Sequence, residues 1–288
     1  MTLPTDDPLN NFQGFPPLAG VCSFQDAARV GYGVDEAVTC LKRFHWAMRR
    51  TWHILISRIT SEPVYELKMG FSYHSHLLAE HITTLRARVG EMREPPLGLD
   101  QCPDDGLDLF FDEILCAGTI RETVTGVYAV TIPELRTAIR HYIQTTNPLV
   151  DAPGIRILKH ATDDLDLMVT WGGQALGALA AAPPGESLSP AKADFQEFLA
   201  AAGGMAGQTP RKQAVNRRRS IEPFFYDNVP KRDARFSDPF NSGVNAEMMI
   251  HGDYPDGIKA LMLLYKRLRE IDVPEMMAGL IMETPGKP

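Results

Sequence analysis

The sequence has few of the features that mark secreted, membrane or zinc-binding proteins. Its 288 residues include four cysteines, Cys22, Cys40, Cys102 and Cys116, and no two of them form a Cys-x-x-Cys pair. Thiols so sparse in a chain of this length predict a reduced, cytoplasmic protein with neither a disulfide framework nor a cysteine zinc site. No apolar run approaches the roughly 18–20 residues needed to span a bilayer, so we expect no membrane partner.

Basic charge and catalytic motifs are also scarce. The formal net charge is −7, which argues against a protein that holds nucleic acid by bulk electrostatic attraction. Residues 1–15 are acidic and rich in Pro and Asn, and they lack the basic start and apolar core of a signal peptide. The sequence contains no Gly-x-Ser-x-Gly, His-Glu-x-x-His or phosphate-binding glycine loop, so no common motif indicates a reaction.

What the sequence does have is long helical periodicity. Hydrophobic residues make up 44% of the chain, which is enough for a sizeable core. Across residues 34–59, and again across 67–92, mostly apolar residues recur at alternating steps of three and four, which places them in one stripe along a helix. This spacing predicts two long amphipathic helices. Because only the short break at residues 61–63 separates them, we expect the two helices to fold back on each other.

Further helical stretches and little strand signal indicate an all-α protein. We predict helices over about 107–130, 133–143 and 153–180, which together with the first two suit an antiparallel four-helix-type bundle. Asp272-Val-Pro-Glu275 is typical of a capping box that opens a last helix. The predicted segments are an irregular leader at 1–33, a helical bundle at 34–180, a linker and irregular segment with a basic run at 181–256, and the start of a second helical region at 257–288.

Three histidines interrupt the apolar stripes of the first two helices. His45 lies on the first stripe, and His74 and His81 lie on the second. If the hairpin turns near residue 61, His45 falls about level with residue 78, between the other two histidines. One interpretation is a metal or acid–base site in the bundle core. The other is three buried histidines that each bond to a neighbouring group.

A metal site also needs carboxylates, and three acids lie on partly apolar helix faces. Glu113 shares a face of the predicted helix 107–130 with Ile120 and Val124. Glu122 lies on another partly apolar face of that helix, and Asp164 lies on such a face of the predicted helix 153–180. If two or more of these acids face the three histidines, iron or manganese becomes the expected metal. Otherwise each acid is a helix-surface group, because an unpaired buried carboxylate is costly.

The helical region resembles the ferritin-like superfamily of helical bundles, many of which bind two metal ions between four helices. The stretch from His76 through Glu80-His81 to Arg88 is similar to the superfamily's second helix. The stretch from Asn147 through His160 to Gly172 is similar to its fourth helix. The resemblance covers roughly residues 34–180, and it implies a ferritin-like bundle.

The same resemblance implies a set of metal ligands that this sequence matches only in part. The family pattern is a Glu from each of two helices and Glu-x-x-His from each of the other two. His81 matches one histidine, but Leu78 occupies its glutamate position. In the fourth helix Asp163 or Asp164 replaces the glutamate, and the histidine is lost. His45 stands where a first-helix glutamate is expected, and Glu113 or Glu122 could supply the third-helix ligand.

Two functions therefore stay open at the level of sequence. The first is a non-haem iron or manganese oxidoreductase that acts on a small-molecule substrate, with His45, His74, His81, Glu113, Glu122 and Asp164 as metal ligands. The second is a metal-free ferritin-like scaffold or interaction protein, in which the Met-rich stretch 275–282 forms part of a homo-oligomer or partner surface. The last helical region, from about Tyr254, reads as the start of a bundle that is cut short or docks on another subunit.

Overall fold

A computed structural model describes residues 12–92, 97–182, 189–236 and 246–284. Within these ranges all regular structure is helical, as the apolar periodicity predicts, and no strand occurs. The helices are α1 (Phe24–Ala27), α2 (Val34–Ile59), α3 (Tyr65–Glu91), α4 (Asp105–Leu115), α5 (Ile120–Val124), α6 (Ile132–Thr145), α7 (Ala152–Ala181), α8 (Ser189–Ala201), α9 (Ala246–Ile250), α10 (Asp256–Arg269) and α11 (Asp272–Glu283).

Helices α2 and α3 form where the stripes predict them. Most of the α2 stripe is buried, and Leu41, Met48 and Leu55 are among its fully buried members. The short break between the helices contains Pro63, and α3 begins two residues later at Tyr65. In this break the Glu62 carboxylate accepts a hydrogen bond of 2.8 Å from the Val64 backbone N–H. The predicted end of α3 at residues 95 and 96 lies outside the described residues.

The predicted third helix is divided differently in the structure. A break after α4 interrupts the predicted span 107–130, and the Thr119 side chain then caps α5 by accepting a hydrogen bond of 3.2 Å from the Glu122 N–H. From Ile120 the chain stays helical to Thr145, with a wider π-helical turn over Thr125–Thr131. Pro133 therefore lies within a longer helical run. We attribute the wide turn to Pro133, since proline lacks an N–H and crowds the preceding turn.

Helix α7 is one uninterrupted helix whose close packing depends on a glycine. A Cβ atom added at Gly172 would lie 2.5 Å from Tyr128 Cβ, which is closer than carbon atoms approach without strain. The buried Tyr128 belongs to the π-helical turn. Gly173, the next residue, has open space at the same position. Of this neighbouring pair, the structure requires a residue without a side chain at Gly172 and not at Gly173.

The chain divides into two compact units that are discontinuous in sequence. Unit 1 consists of Met1–Thr51 and Leu77–Phe224, and unit 2 consists of Trp52–His76 and Phe225–Pro288. Helices α2 and α3 each contribute residues to both units, whereas the segments predicted from the sequence follow the order of the chain. Fully buried side chains of unit 1 include Phe44, Phe110, Phe111, Phe195 and Phe198. Those of unit 2 include Ile54, Leu55, Phe71 and, unusually, Lys68.

The basic run at residues 211–219 belongs to unit 1, where it is mostly exposed and forms ion pairs with neighbouring helices. Arg218 pairs with Asp194 and Glu197 of α8. Arg219 pairs with Asp194 and Glu122 at 3.3 and 3.1 Å. Ion pairs with acidic residues of α5 and α8 therefore attach the basic run to these two helices.

Candidate functional sites

His45 is buried in unit 1 and keeps both ring nitrogens unbonded. Its exposed fraction is 0%, and neither nitrogen has a hydrogen-bond partner within the part of the chain that the structure describes. Burial and, to a lesser extent, the nearby cations Arg86 and Arg49 lower the pKa of His45 to about 4, against the opposing charge of Asp100. A neutral ring beside two guanidinium groups lies in a field that disfavours a bound metal cation.

Two of the predicted site residues, His81 and Asp164, bond to each other. The His81 Nε2 lies 2.8 Å from Asp164 Oδ2 of α7. His160 lies one helical turn before Asp164 on α7, and its ring centroid is 5.3 Å from that of His81. His81 is buried and Asp164 is partly exposed. Burial lowers the pKa of His81, while the bond to Asp164 opposes the shift. The pair fixes the ring's orientation and links α3 to α7.

His74 belongs to unit 2, whereas His45 and His81 belong to unit 1. It is buried, burial lowers its pKa to about 4, and its ring centroid lies 5.9 Å from that of Tyr73. Among the described residues, no hydrogen bond or ring contact joins His45 to His81. The expected convergence of three imidazoles therefore remains a prediction that the described contacts do not support.

Glu113 is fully buried and its carboxylate is saturated with hydrogen bonds. It accepts from the backbone N–H groups of Arg218, Arg219 and Ser220 and from the Ser220 hydroxyl at 2.7 Å. Burial raises the pKa of Glu113, but these hydrogen bonds outweigh that effect and the net pKa is lowered. The carboxylate therefore anchors the basic run to α4, and it has few lone pairs left for a metal ion.

Glu122 and Asp164 are also engaged by protein groups. Glu122 accepts from Arg219 at 3.1 Å and from the Gly118 N–H at 3.1 Å. Asp164 is the partner of His81. In the described ranges, no three His, Cys, Asp or Glu side chains are grouped so that they could hold a metal ion. The residues present there do not fit a di-metal carboxylate site.

Unit 2 contains a buried ionic cluster that the sequence analysis did not identify. Lys68, with an exposed fraction of 0%, pairs with the buried Glu275 and also donates to the Lys231 carbonyl at 3.0 Å. Arg232 pairs with both Glu275 and Asp272. Two cations and two carboxylates balance, so the cluster carries no net charge.

The ionic cluster displaces the predicted capping box at the start of α11. The capping-box interpretation expects the Glu275 carboxylate to reach back to the helix start. Instead both of its oxygens bind the cations of the cluster. No side chain caps this helix. Burial of Lys68 explains the difference, because an unpaired buried ammonium costs more than a missing cap.

A pocket of about 530 Å³ adjoins the cluster in unit 2. It is lined by Thr60, Tyr226, Asn228, Val229, Pro230, Arg232, Asp272, Glu275, Met276, Gly279 and Glu283. The hydroxyl groups of Thr60 and Tyr226 lie 2.6 Å apart on its wall. Since α11 contributes Met276 and Gly279, the pocket opens beside the face of α11 described next.

Helix α11 has the reverse of the usual amphipathic arrangement. Its charged Glu275 and the small Ala278 are buried, whereas four large apolar residues at spacings of 0, 3, 4 and 7 are exposed. These four residues, with exposed fractions from 45% to 59%, form the α11 stripe: Val273, Met276, Met277 and Leu280. A helix normally buries such a stripe. A contiguous apolar face left in water is typical of a binding surface.

Helix α10 carries a second exposed stripe. Its apolar side chains recur at spacings of 0, 3, 6 and 7, with exposed fractions from 38% to 58%. They form the α10 stripe: Ile258, Leu261, Leu264 and Tyr265. Met262, four residues after Ile258 and on the same side of the helix, is buried, whereas Leu263 on another side is 54% exposed. Helix α10 therefore exposes apolar side chains on more than one side, whereas α11 buries one side and exposes an apolar one.

Comparisons with models of known protein families, with curated proteins and with solved structures find no match to this chain. In the described ranges, no helix combines the length and the apolar character needed to cross a bilayer.

The residues that sequence reasoning missed carry only weak signals. Lys68 precedes Phe71 by three residues and so lies on the same side of α3, which gives a hint of burial. Arg232 falls in a stretch without periodicity, and nothing local marks it as the partner of Glu275. The α11 stripe overlaps the Met-rich stretch 275–282, in which the composition led us to expect an exposed surface.

Proposed function

We propose that the chain is a metal-free helical protein that acts by binding another protein through the α11 stripe. The observation that carries this proposal is the reversed amphipathicity of α11, which buries Glu275 and exposes Met276 and Leu280. Leaving large apolar side chains in water opposes solubility, and a partner that covers them removes that cost. Methionine side chains are unbranched and adaptable, and they are common at binding surfaces.

The pocket beside α11 strengthens the same proposal. Binding surfaces concentrate their affinity where a partner's side chain fills a concave site. Met276 belongs both to the α11 stripe and to the pocket wall. A side chain that packs on the stripe can therefore also enter the pocket.

We further propose that residues 34–180 keep a ferritin-like bundle that lacks the di-metal site. Long helices support the bundle, since α2, α3 and α7 contain 26, 27 and 30 residues. The helical run from Ile120 to Thr145 supplies a fourth. Saturation of Glu113 by hydrogen bonds and the cations beside His45 favour the metal-free alternative over an iron or manganese oxidoreductase.

Photo-crosslinking in cells tests the binding proposal. A photoreactive residue at Met277 should give a crosslinked product of discrete mass, and Leu280→Glu in the same chain should abolish it. The matched control carries the photoreactive residue at Leu167 of α7, which is 57% exposed but lies in unit 1. Equal products from both positions, or none from Met277, would contradict the proposal.

Anaerobic titration with iron and manganese tests the metal-free proposal separately. We expect no saturable binding to the full chain. Stoichiometric binding that is lost in both Glu113→Gln and His81→Leu would instead support the oxidoreductase alternative.

A further inference from the structure

Two arginines of unit 1 hold the same oxygen of one carboxylate. Arg49 of α2 and Arg86 of α3 donate to Asp100 Oδ1 at 3.1 and 2.8 Å. The hydrogen bond from Arg86 lowers the pKa of Asp100, so this carboxyl group is ionised at neutral pH. Two guanidinium groups face one negative charge, which leaves one positive charge of the group unbalanced.

A second cluster of the same composition in unit 1 is arranged differently. Arg136 and Arg140 of α6 donate to different oxygens of Asp166 on α7, at 2.8 and 2.6 Å. Each oxygen of Asp166 therefore meets its own guanidinium. In the Asp100 group the two arginines share one oxygen. Since a guanidinium has several N–H donors, such a pair can hold a larger oxyanion than one carboxylate.

His45 lies beside the Asp100 group. It precedes Arg49 by four residues and so lies on the same side of α2, one turn away. Its ring is fully buried, and among the described residues neither nitrogen has a hydrogen-bond partner. A buried polar group in this state costs stability and calls for a functional explanation. The charges of Arg49 and Arg86 near the ring favour an anion there over a cation.

The Asp100 carboxylate can leave the two arginines without unfolding of the chain around it. Leu99 is 3% exposed and anchors this part of the chain, whereas the Asp100 side chain is 70% exposed. An exposed side chain changes rotamer within nanoseconds. Arg49 Cζ lies 5.8 Å from the centroid of the Trp46 ring, and this cation–π contact helps to keep the guanidinium in place when Asp100 turns away.

We infer that Arg49, Arg86 and His45 form a ligand site in unit 1 for the phosphate group of a small molecule. A phosphate monoester carries close to two negative charges at neutral pH, so it balances both arginines where Asp100 balances one. Its oxygens accept from both guanidinium groups and from one nitrogen of the His45 ring. Asp100 is then an internal competitor that the ligand displaces.

Calorimetric titration of the full chain with inorganic phosphate at pH 7 tests the inference. We expect saturable binding to the wild-type chain. Asp100→Asn should lower the dissociation constant about tenfold, because it removes the competing negative charge. An unfolded variant would not bind phosphate more tightly, so this gain cannot come from a folding defect.

The matched control is Asp166→Asn, which removes the carboxylate from the other pair of arginines. It should leave the dissociation constant for phosphate unchanged. Equal gains in Asp100→Asn and Asp166→Asn would overturn the assigned site, because phosphate would then bind any pair of arginines. A lack of saturable binding to both the wild-type chain and Asp100→Asn would overturn it as well.

Variants of the donors test which groups hold the phosphate. In the Asp100→Asn chain, Arg86→Gln should raise the dissociation constant at least about tenfold, because a charged donor is lost. His45→Leu should raise it about tenfold while it makes the phosphate-free chain more stable. A phosphate affinity that His45→Leu leaves unchanged would overturn the role of His45 in the site.

Competition experiments test the class of ligand. Glycerol 3-phosphate should displace inorganic phosphate from the full chain, whereas acetate at the same concentration should not. Equal displacement by acetate would overturn the preference for a phosphate group. Displacement by a phosphoserine peptide but not by glycerol 3-phosphate would overturn the assignment to a small molecule.

Discussion

Units 1 and 2 both pair buried polar side chains, and they differ in the apolar stripe that α11 of unit 2 leaves exposed. In unit 1, polar groups that fall on buried faces are mostly taken up by the fold, as Glu113 is by three backbone N–H groups and His81 is by Asp164. In unit 2, a buried Lys68 is balanced by Glu275, while the apolar side of α11 stays in water. The comparison teaches that polar residues on a buried stripe need not mark a site. Apolar residues on an exposed stripe are the stronger indication of function.

The largest effect should come from breaking the ionic cluster of unit 2. Glu275→Leu leaves Lys68 buried without its carboxylate, which should lower the free energy of unfolding by about 3–5 kcal/mol. Denaturant unfolding followed by circular dichroism measures the change.

The matched control for the cluster replaces both charges. Lys68→Met/Glu275→Leu should recover most of the lost stability, because a buried pair can be exchanged for apolar side chains at little cost. A single variant that loses less than about 1 kcal/mol would show that Lys68 reaches water without Glu275.

A smaller effect should follow from filling the close contact of α7 in unit 1. Gly172→Ala puts a Cβ atom against Tyr128 and should cost about 1–3 kcal/mol through overpacking. Gly173→Ala, one residue further and in open space, should instead stabilise α7 by up to about 1 kcal/mol. Thermal unfolding of the two variants checks the difference. Equal effects would mean that α7 does not approach the π-helical turn as described.

At pH 7 the smallest effect concerns His45, which unit 1 buries without a hydrogen-bond partner among the described residues. His45→Leu should raise the free energy of unfolding at pH 7 by about 1–2 kcal/mol, because it removes an unsatisfied buried polar group. His81→Leu is the matched control, and it should lower stability by about 1 kcal/mol because Asp164 loses its hydrogen bond. Chemical unfolding at pH 7 distinguishes the two signs.

The pH dependence of the His45 variant sharpens the same contrast. The pKa of His45 falls from 6.5 to about 4 on folding, so between those values the unfolded chain binds more protons and stability falls as the pH falls. Each unit of pKa shift corresponds to about 1.4 kcal/mol, so the full loss reaches about 3 kcal/mol. His45→Leu should remove this share of the loss. A slope between pH 6.5 and 4 that is the same in both proteins would show that folding does not lower the pKa of His45.

The helices could be predicted because each stripe is a local property of the sequence. Steps of three and four residues predict α2, α3 and α7 closely, and Pro153 suits the first turn of α7. The break after α4 was missed because its signal, the capping residue Thr119, is weak beside the apolar residues around it. The continuous helix through Pro133 was missed because proline usually marks a helix start, and the π-helical turn that accommodates it has no sequence signature.

The candidate site was harder to predict because its contacts join distant parts of the chain. The bond between His81 and Asp164 connects two helices, and Glu113 is satisfied by backbone groups more than a hundred residues later. No local pattern shows whether a buried acid will meet N–H groups or a metal ion. The Met-rich α11, in contrast, could be predicted as a surface from its composition alone.

The most direct test of the account is oxidative footprinting of methionines in the full chain, in intact cells and after dilution. Met276 and Met277 of the α11 stripe are 59% and 48% exposed, Met69 of α3 is 42% exposed, and Met262 of α10 is 8% exposed. In the dilute chain, Met276 and Met277 should react as fast as Met69. In cells a bound partner should slow them towards the rate of Met262 while Met69 stays reactive. Rates for Met276 and Met277 that match Met69 under both conditions would contradict the claim that the α11 stripe binds a protein.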